Sequence, residues 1–147
     1  MFIIAGISLK IWNWNLLLHL ILADADSKIS LMKGLLQLEE LAVFAAAVFL
    51  LFQLPLHLSW WVYILLFLSP DIGMIGYLMN SRTGAITYNF THHKALAICL
   101  VAVGFFTGHE TFQLYGFLLL AHSSFDRVLG FGLKYPDAFK HTSLGNL

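Results

Sequence analysis

Five ionisable side chains stand in or at the ends of apolar runs: Glu39, Asp71, His92, His122 and Asp126. His122 and Asp126 are four residues apart, so on a helix they share one face, one turn apart. Ionisable groups carried by apolar helices cost free energy unless something receives them, and these five can receive one another. Carboxylates and imidazoles brought together from several helices make the mixed nitrogen and oxygen sites that bind zinc, iron or manganese. A divalent cation would balance the carboxylates and keep the imidazoles neutral. With an open coordination position it would activate water against a lipid-like ester, amide or phosphate. In this reading Asp71, His92, His122 and Asp126 are the ligands and Glu39 is a general base or a further ligand. Arg127 steers an anionic head group, and Asn89, Tyr77, Tyr88 and Lys134 line the site.

The same residues admit plainer roles. The His122–Asp126 pair could hydrogen-bond internally and to a neighbouring helix, fixing packing. Asp71 could form a structural ion pair with Arg127 or Arg82. His93 competes with His92, because adjacent helical residues point about 100° apart and only one of them can face inward. Glu40 is expected at head groups or solvent, His19, His57 and His109 at interfaces, and Lys134-Tyr135 as an interfacial anchor. Two other functions therefore stay open: non-catalytic binding or transport of an ion or small molecule, and a structural bundle whose polar cluster only sets packing.

Composition decides what kind of solvent must surround these groups. Of 147 residues, 59% are hydrophobic and 11% charged, with a mean hydropathy of +0.80. Soluble domains carry about 25% charged residues, so this chain has less than half the usual polar covering and reads as a membrane protein. Net charge is zero, which gives no basis for a nucleic-acid partner. A single cysteine, Cys99, excludes an internal disulfide and any CxxC motif.

The elements that must position the site follow from apolar runs of about 20 residues, enough to cross a bilayer. One run covers 35–54 and stops before Pro55; a second covers 56–79, with Trp60 and Trp61 near one end and Ser69-Pro70-Asp71 interrupting it. A polar loop is expected over 80–91, a third run over 95–107, a tight turn at Gly108-His109-Glu110, and a fourth run over 111–121 continuing into His122. The fold class is all-α: a multi-pass helical bundle of four core spans plus an N-terminal apolar segment. The domain split is 1–30, apolar or interfacial, and 31–147, a four-helix transmembrane domain with a cytoplasmic tail.

Orientation follows from Lys28, Lys33, Arg82, Lys94, Arg127, Lys134 and Lys140. These seven cations fall on one side of the four spans, and the opposite connections carry none. By the positive-inside rule that side, with the C-terminus, is cytoplasmic and the membrane is the inner (plasma) membrane. Every core helix then brings an acid or a histidine to the cytoplasmic leaflet. Residues 1–23 hold Lys10, Trp12, Asn13, Trp14, Asn15 and His19; Lys10 in mid-run argues against a cleaved signal peptide. The stretch is an interfacial segment, a fifth span, or the product of a start codon placed too far upstream.

The strings LQLEELAVF (36–44), SPDIGMIGYL (69–78), GAITYNFTHH (84–93) and DRVLGFGLKY (126–135) resemble a small bacterial membrane family known as domain of unknown function 4260. The resemblance covers about 35–145. It implies that Glu39, Pro70, Asp71, Gly76, Tyr77, Gly84, Tyr88, Asn89, His92, His122, Asp126, Arg127, Lys134 and Tyr135 belong to the family pattern. It favours His92 over His93 and Glu39 over Glu40. The tail departs from the pattern: Ser143 stands where a histidine follows the threonine, and His141 lies two places earlier. The family has no assigned activity, so the resemblance implies architecture and site residues and leaves the reaction open.

Overall fold

The computed structural model describes residues 14–146, so the readings placed on Lys10, Trp12 and Asn13 lie outside the described residues. Helix α1 runs Trp14–Phe52. Lys28 and Lys33 therefore lie inside α1 and not before it, because no proline interrupts the chain until Pro55. The chain divides into two units, Met1–Lys33 and Gly34–Leu147. In the first, Lys28 Nζ meets Asp24 at 2.7 Å across one exposed helical turn.

The second unit holds the remaining elements. Helix α2, Trp60–Leu68, passes directly into a 3-10 helix, Ser69–Leu78, with Pro70 in its first turn. The expected loop at 80–91 is instead helix α3, Ser81–Thr91. Asn80 starts it: its Oδ1 accepts the Thr83 N–H at 2.8 Å, the N-cap arrangement that short polar residues favour. After His92 the chain turns at once into α4, Lys94–Thr107. Gly108, at φ 71°, closes α4 in the left-handed conformation, and α5, Glu110–Val128, runs back along it.

Ten consecutive 3-10 residues are unusual, and the three-residue period sorts their side chains into three rows. Pro70, Gly73 and Gly76 form one row, with Pro70 and Gly76 buried and the two glycines facing α3. Ser69, Ile72, Ile75 and Leu78 form an outward row, whose three apolar members are all exposed. Asp71, Met74 and Tyr77 form the third row, turned toward the interior of the unit. The α3 contact depends on missing side chains: a Cβ on Gly84 would meet the Tyr77 ring, and one on Gly76 would lie 3.0 Å from Thr83 O.

A Schellman turn ends α5. Phe131 N–H bonds to Asp126 O at 2.8 Å and Gly130 N–H to Arg127 O at 3.0 Å, with Gly130 at φ 91°. The chain then folds back over the helices. Asn89 clamps it from α3, donating from Nδ2 to Lys134 O at 2.8 Å and accepting the Lys134 N–H on Oδ1 at 2.7 Å. The tail carries a small hairpin: β1, His141–Thr142, pairs antiparallel with β2, Gly145–Asn146.

Three helices are long and apolar enough to cross a membrane: Leu18–Phe52, Trp60–Leu78 and Ser81–Thr107. Helix α5 has 19 residues but carries His122, Ser123 and Ser124, and it buries all three. Leu114, Phe117 and Leu118 of α5 pack with Leu51 in an apolar core one to two turns before those polar residues. Outside, large apolar side chains stand open, up to Phe106 at 92% exposure. Apolar outside and polar within is the arrangement of a chain solvated by lipid.

Two predictions follow from this packing. Gly84→Leu should overpack the Tyr77 contact and destabilise the fold by about 1–3 kcal/mol, whereas Gly34→Ala, with open space around it, should not destabilise it. Thermal unfolding in detergent reads the difference. Asn89→Ala leaves the Lys134 backbone groups without their partner, a cost of about 1–3 kcal/mol, and should speed tryptic cleavage at Lys134 and Lys140.

Candidate metal centre

Three elements bring four ligand-type side chains to one place. Asp71 comes from the first turn of the 3-10 helix, His92 from the C-cap of α3, and His122 and Asp126 from successive turns of α5. One donor atom from each lies within 4.8 Å of the others. His92 Nε2 is 3.0 Å from His122 Nε2, 3.3 Å from Asp126 Oδ2 and 3.6 Å from Asp71 Oδ1. His122 Nε2 is 3.4 Å from Asp71 Oδ1 and 3.9 Å from Asp126 Oδ1. Both histidines are 2% exposed, while the Asp71 side chain is 40% exposed and forms the open edge.

The surroundings of His92 favour one tautomer. Its Nδ1 lies 2.9 Å from Tyr88 O, a carbonyl that can only accept, and 3.0 Å from Thr91 Oγ1, whose own proton has the Tyr88 and Thr87 carbonyls to go to, so the arrangement favours the proton on Nδ1. In the neutral ring Nε2 is then a lone pair aimed at His122 and both carboxylates. This is how proteins orient a metal-binding histidine through its other nitrogen. His122 lacks that support: its Nδ1 is buried and makes no hydrogen bond among the described residues. Its ring instead packs edge-on against Phe67, centroids 5.1 Å apart.

Two imidazole Nε2 atoms 3.0 Å apart and flanked by two carboxylates call for a proton or a cation between them. Donors bound at about 2.0–2.1 Å around a tetrahedral ion stand about 3.3–3.4 Å from one another; the separations that involve a histidine, 3.0–3.9 Å, bracket that spacing, and the whole set lies within 4.8 Å. Two imidazoles and two carboxylates suit zinc, iron or manganese. The residues therefore fit a divalent ion.

Tyr88 braces the group. Its hydroxyl donates to Asp126 Oδ2 at 2.7 Å, and its ring stacks on His92 with centroids 3.8 Å apart. Ser123 Oγ donates to His92 O at 3.0 Å, tying α5 to the α3 end. Lys134 is 4% exposed; Nζ donates to Phe139 O at 3.0 Å and lies 4.3 Å from the Phe139 ring and 5.4 Å from that of Tyr88. Burial pushes its pKa down and Asp126 pushes it part of the way back. Lys134 is thus an internal cation of the site wall, and not the interfacial anchor suggested by its neighbour Tyr135. Tyr77 packs on Phe139 with its hydroxyl buried, and Asn89 acts through the tail clamp.

Two expected members are placed elsewhere. Glu39 is exposed and takes no part in the cluster. Glu40 turns inward in its place, bonded to Lys94 and 3.5 Å from Arg127. The cause is helical phase: the first apolar run is greasy on every side, so the run itself does not mark which of two adjacent acids faces in. Arg127 pairs with Glu40 and not with Asp71, and the Asp71–Arg127 and Asp71–Arg82 bridges do not form. Arg127 does line a crevice shared with Tyr88, His92, Ser123 and Asp126. His93 is exposed at the N-cap position of α4, where its side chain makes no capping bond, leaving the inward place to His92. The Glu40–Lys94–Arg127 triad was missed by sequence reasoning; the spacing of Glu39 and Glu40 before Ala42 was the available signal, and it pointed both ways.

No curated protein and no solved structure matches this chain. A family model does, over residues 33–147, a range that contains the whole of the cluster, its Tyr88 brace and the tail clamp. The chain belongs to the family described as a domain of unknown function (DUF4260).

Proposed function

We propose that this protein is a four-span plasma-membrane protein that holds one divalent metal at the cytoplasmic leaflet and uses it to hydrolyse a lipid-like substrate. The observation that carries the proposal is the convergence of Asp71, His92, His122 and Asp126 donors within 4.8 Å. The positive-inside asymmetry supports the orientation, since Lys94, Arg127 and Lys134 surround the same end of the bundle.

The bound ion would supply Lewis acidity and a water of lowered pKa. The chain's own residues divide the remaining work. His92, held by Tyr88 O, presents a lone pair, and Asp126 is oriented by the Tyr88 hydroxyl. With His92, His122 and Asp126 as ligands and water in the fourth position, Asp71, 40% exposed at the open edge, would take the proton from that water, a role that exposed Glu39, outside the cluster, cannot fill. A second reading has an observation of its own: four protein donors can close a tetrahedron, and closed sites are structural. The protein would then bind or transport an ion without catalysis.

Elemental analysis of purified protein should find about one zinc, iron or manganese per chain. His122→Ala should weaken binding by more than the roughly 10–100-fold that loss of an outer partner costs, with helical content retained by circular dichroism. Folded wild-type protein holding no more metal than the variant would overturn the metal centre. With metal confirmed, chelator-sensitive turnover of a lipid ester, amide or phosphate supports hydrolysis; metal retention without turnover of any of them supports the holding role.

A further inference from the structure

We propose that the C-terminal tail, residues 131–146, is a hinged cover over the Asp71–His92–His122–Asp126 cluster, with Asn89 as its latch. The tail lies across the cluster on one side. Phe131, Gly132 and Leu133 rest against Tyr88, His92, Ser123 and Asp126 and leave no space for a water molecule between. Further along, Lys134 Nζ stands 5.4 Å from the Tyr88 ring, and the Phe139 ring meets that of Tyr77 with centroids 5.0 Å apart. Tyr77 stands in the row of the 3-10 helix that carries Asp71. The tail thus touches all three elements that supply the ligands. His92, 2% exposed, lies beneath it, and Asp71, 40% exposed, marks the gap at its edge.

The tail is tied more firmly to itself than to the helices. Ser143 N–H donates to Leu133 O at 2.9 Å, Tyr135 N–H to His141 O at 3.0 Å, and Leu133 N–H to Ser143 Oγ at 3.1 Å. Gly132 permits this closeness, since a Cβ there would stand 2.7 Å from Leu144 N. Beyond the turn that ends α5, the two Asn89 bonds to Lys134 are the only hydrogen bonds joining the tail to the helices among the described residues. Aromatic contact supplies the rest. Gly130, at φ 91°, is the joint between α5 and the tail. A segment bonded within itself and held outside by one side chain opens as a unit before it unravels. Opening breaks the Asn89 pair and leaves every helix intact.

Two measurements on detergent-solubilised full-length protein test the cover. Diethyl pyrocarbonate acylates an unprotonated imidazole nitrogen, so it reports access to His92 in chelator-stripped protein, independently of metal. Modification of His92, read by mass spectrometry, should be about ten- to hundredfold faster in Asn89→Ala than in wild type, the change in opening that two lost hydrogen bonds supply. Phe139→Ala, which removes the Tyr77 contact and keeps the latch, should speed it less. In zinc-loaded protein, Asn89→Ala should raise the rates of zinc uptake and of zinc loss to excess chelator by one common factor, with zinc affinity unchanged. A cover that touches no zinc alters the path and not its two ends. Zinc loss that rises alone, with weakened affinity, overturns the cover. So does equal modification of His92 in wild type and both variants, with helical content retained by circular dichroism. Wild-type protein that takes up no divalent metal overturns the metal centre, and the His92 rates then decide the cover by themselves.

Discussion

Two carboxylates and two imidazoles share one small volume inside a bundle whose outer surface is apolar, and the rest of the structure is arranged around that fact. An unpaired charge in such surroundings is expensive, and removing one partner of a buried charged group typically costs several kcal/mol. The polar residues of α5 consequently point inward while its neighbours present leucine, isoleucine and phenylalanine to the outside. A divalent ion would turn these four closely placed donors into a coordinated set, so the site and the solvent around the bundle are two sides of one electrostatic constraint.

The supporting elements each remove a degree of freedom from those donors. The three-residue period of the 3-10 helix points Asp71 and Tyr77 the same way while two glycines let the backbone press against α3. Tyr88 does three things at once: its carbonyl favours one His92 tautomer, its ring stacks on that imidazole, and its hydroxyl holds Asp126. Asn89, one residue on, fixes the returning tail and with it the ammonium of Lys134 against the Tyr88 ring. Adjacent residues of one helix thus serve the ligands and their covering.

Much of this was legible in the residues. The i, i+4 spacing of His122 and Asp126 carries its own geometry, and Pro70 beside Asp71 announced a break in regular helix. The choice of His92 over His93 came from the family resemblance; the structure supplies a physical reason, since His93 begins the next helix and faces out. The choice of Glu39 over Glu40 failed because a run apolar on all sides has no readable phase, and the inward acid is set by Lys94 and Arg127, distant in sequence. Helix α3 was hidden by its own polarity: Ser81, Arg82, Thr83 and Asn89 resemble a loop, yet Asn80 caps the helix, and Thr83 and Thr87 hold hydroxyl or backbone bonds within it. The Lys134 contacts depend on the tail folding back, which no local pattern announces.

The central claim concerns which atoms surround the ion, and X-ray absorption at the metal edge of the loaded protein examines it directly. The structure predicts a first shell of nitrogen and oxygen at about 2.0–2.2 Å if the ion is zinc, with outer-shell scattering from two imidazole rings that falls to one in His122→Ala. A shell of oxygen alone, with no imidazole scattering, would place the ion elsewhere and contradict the account.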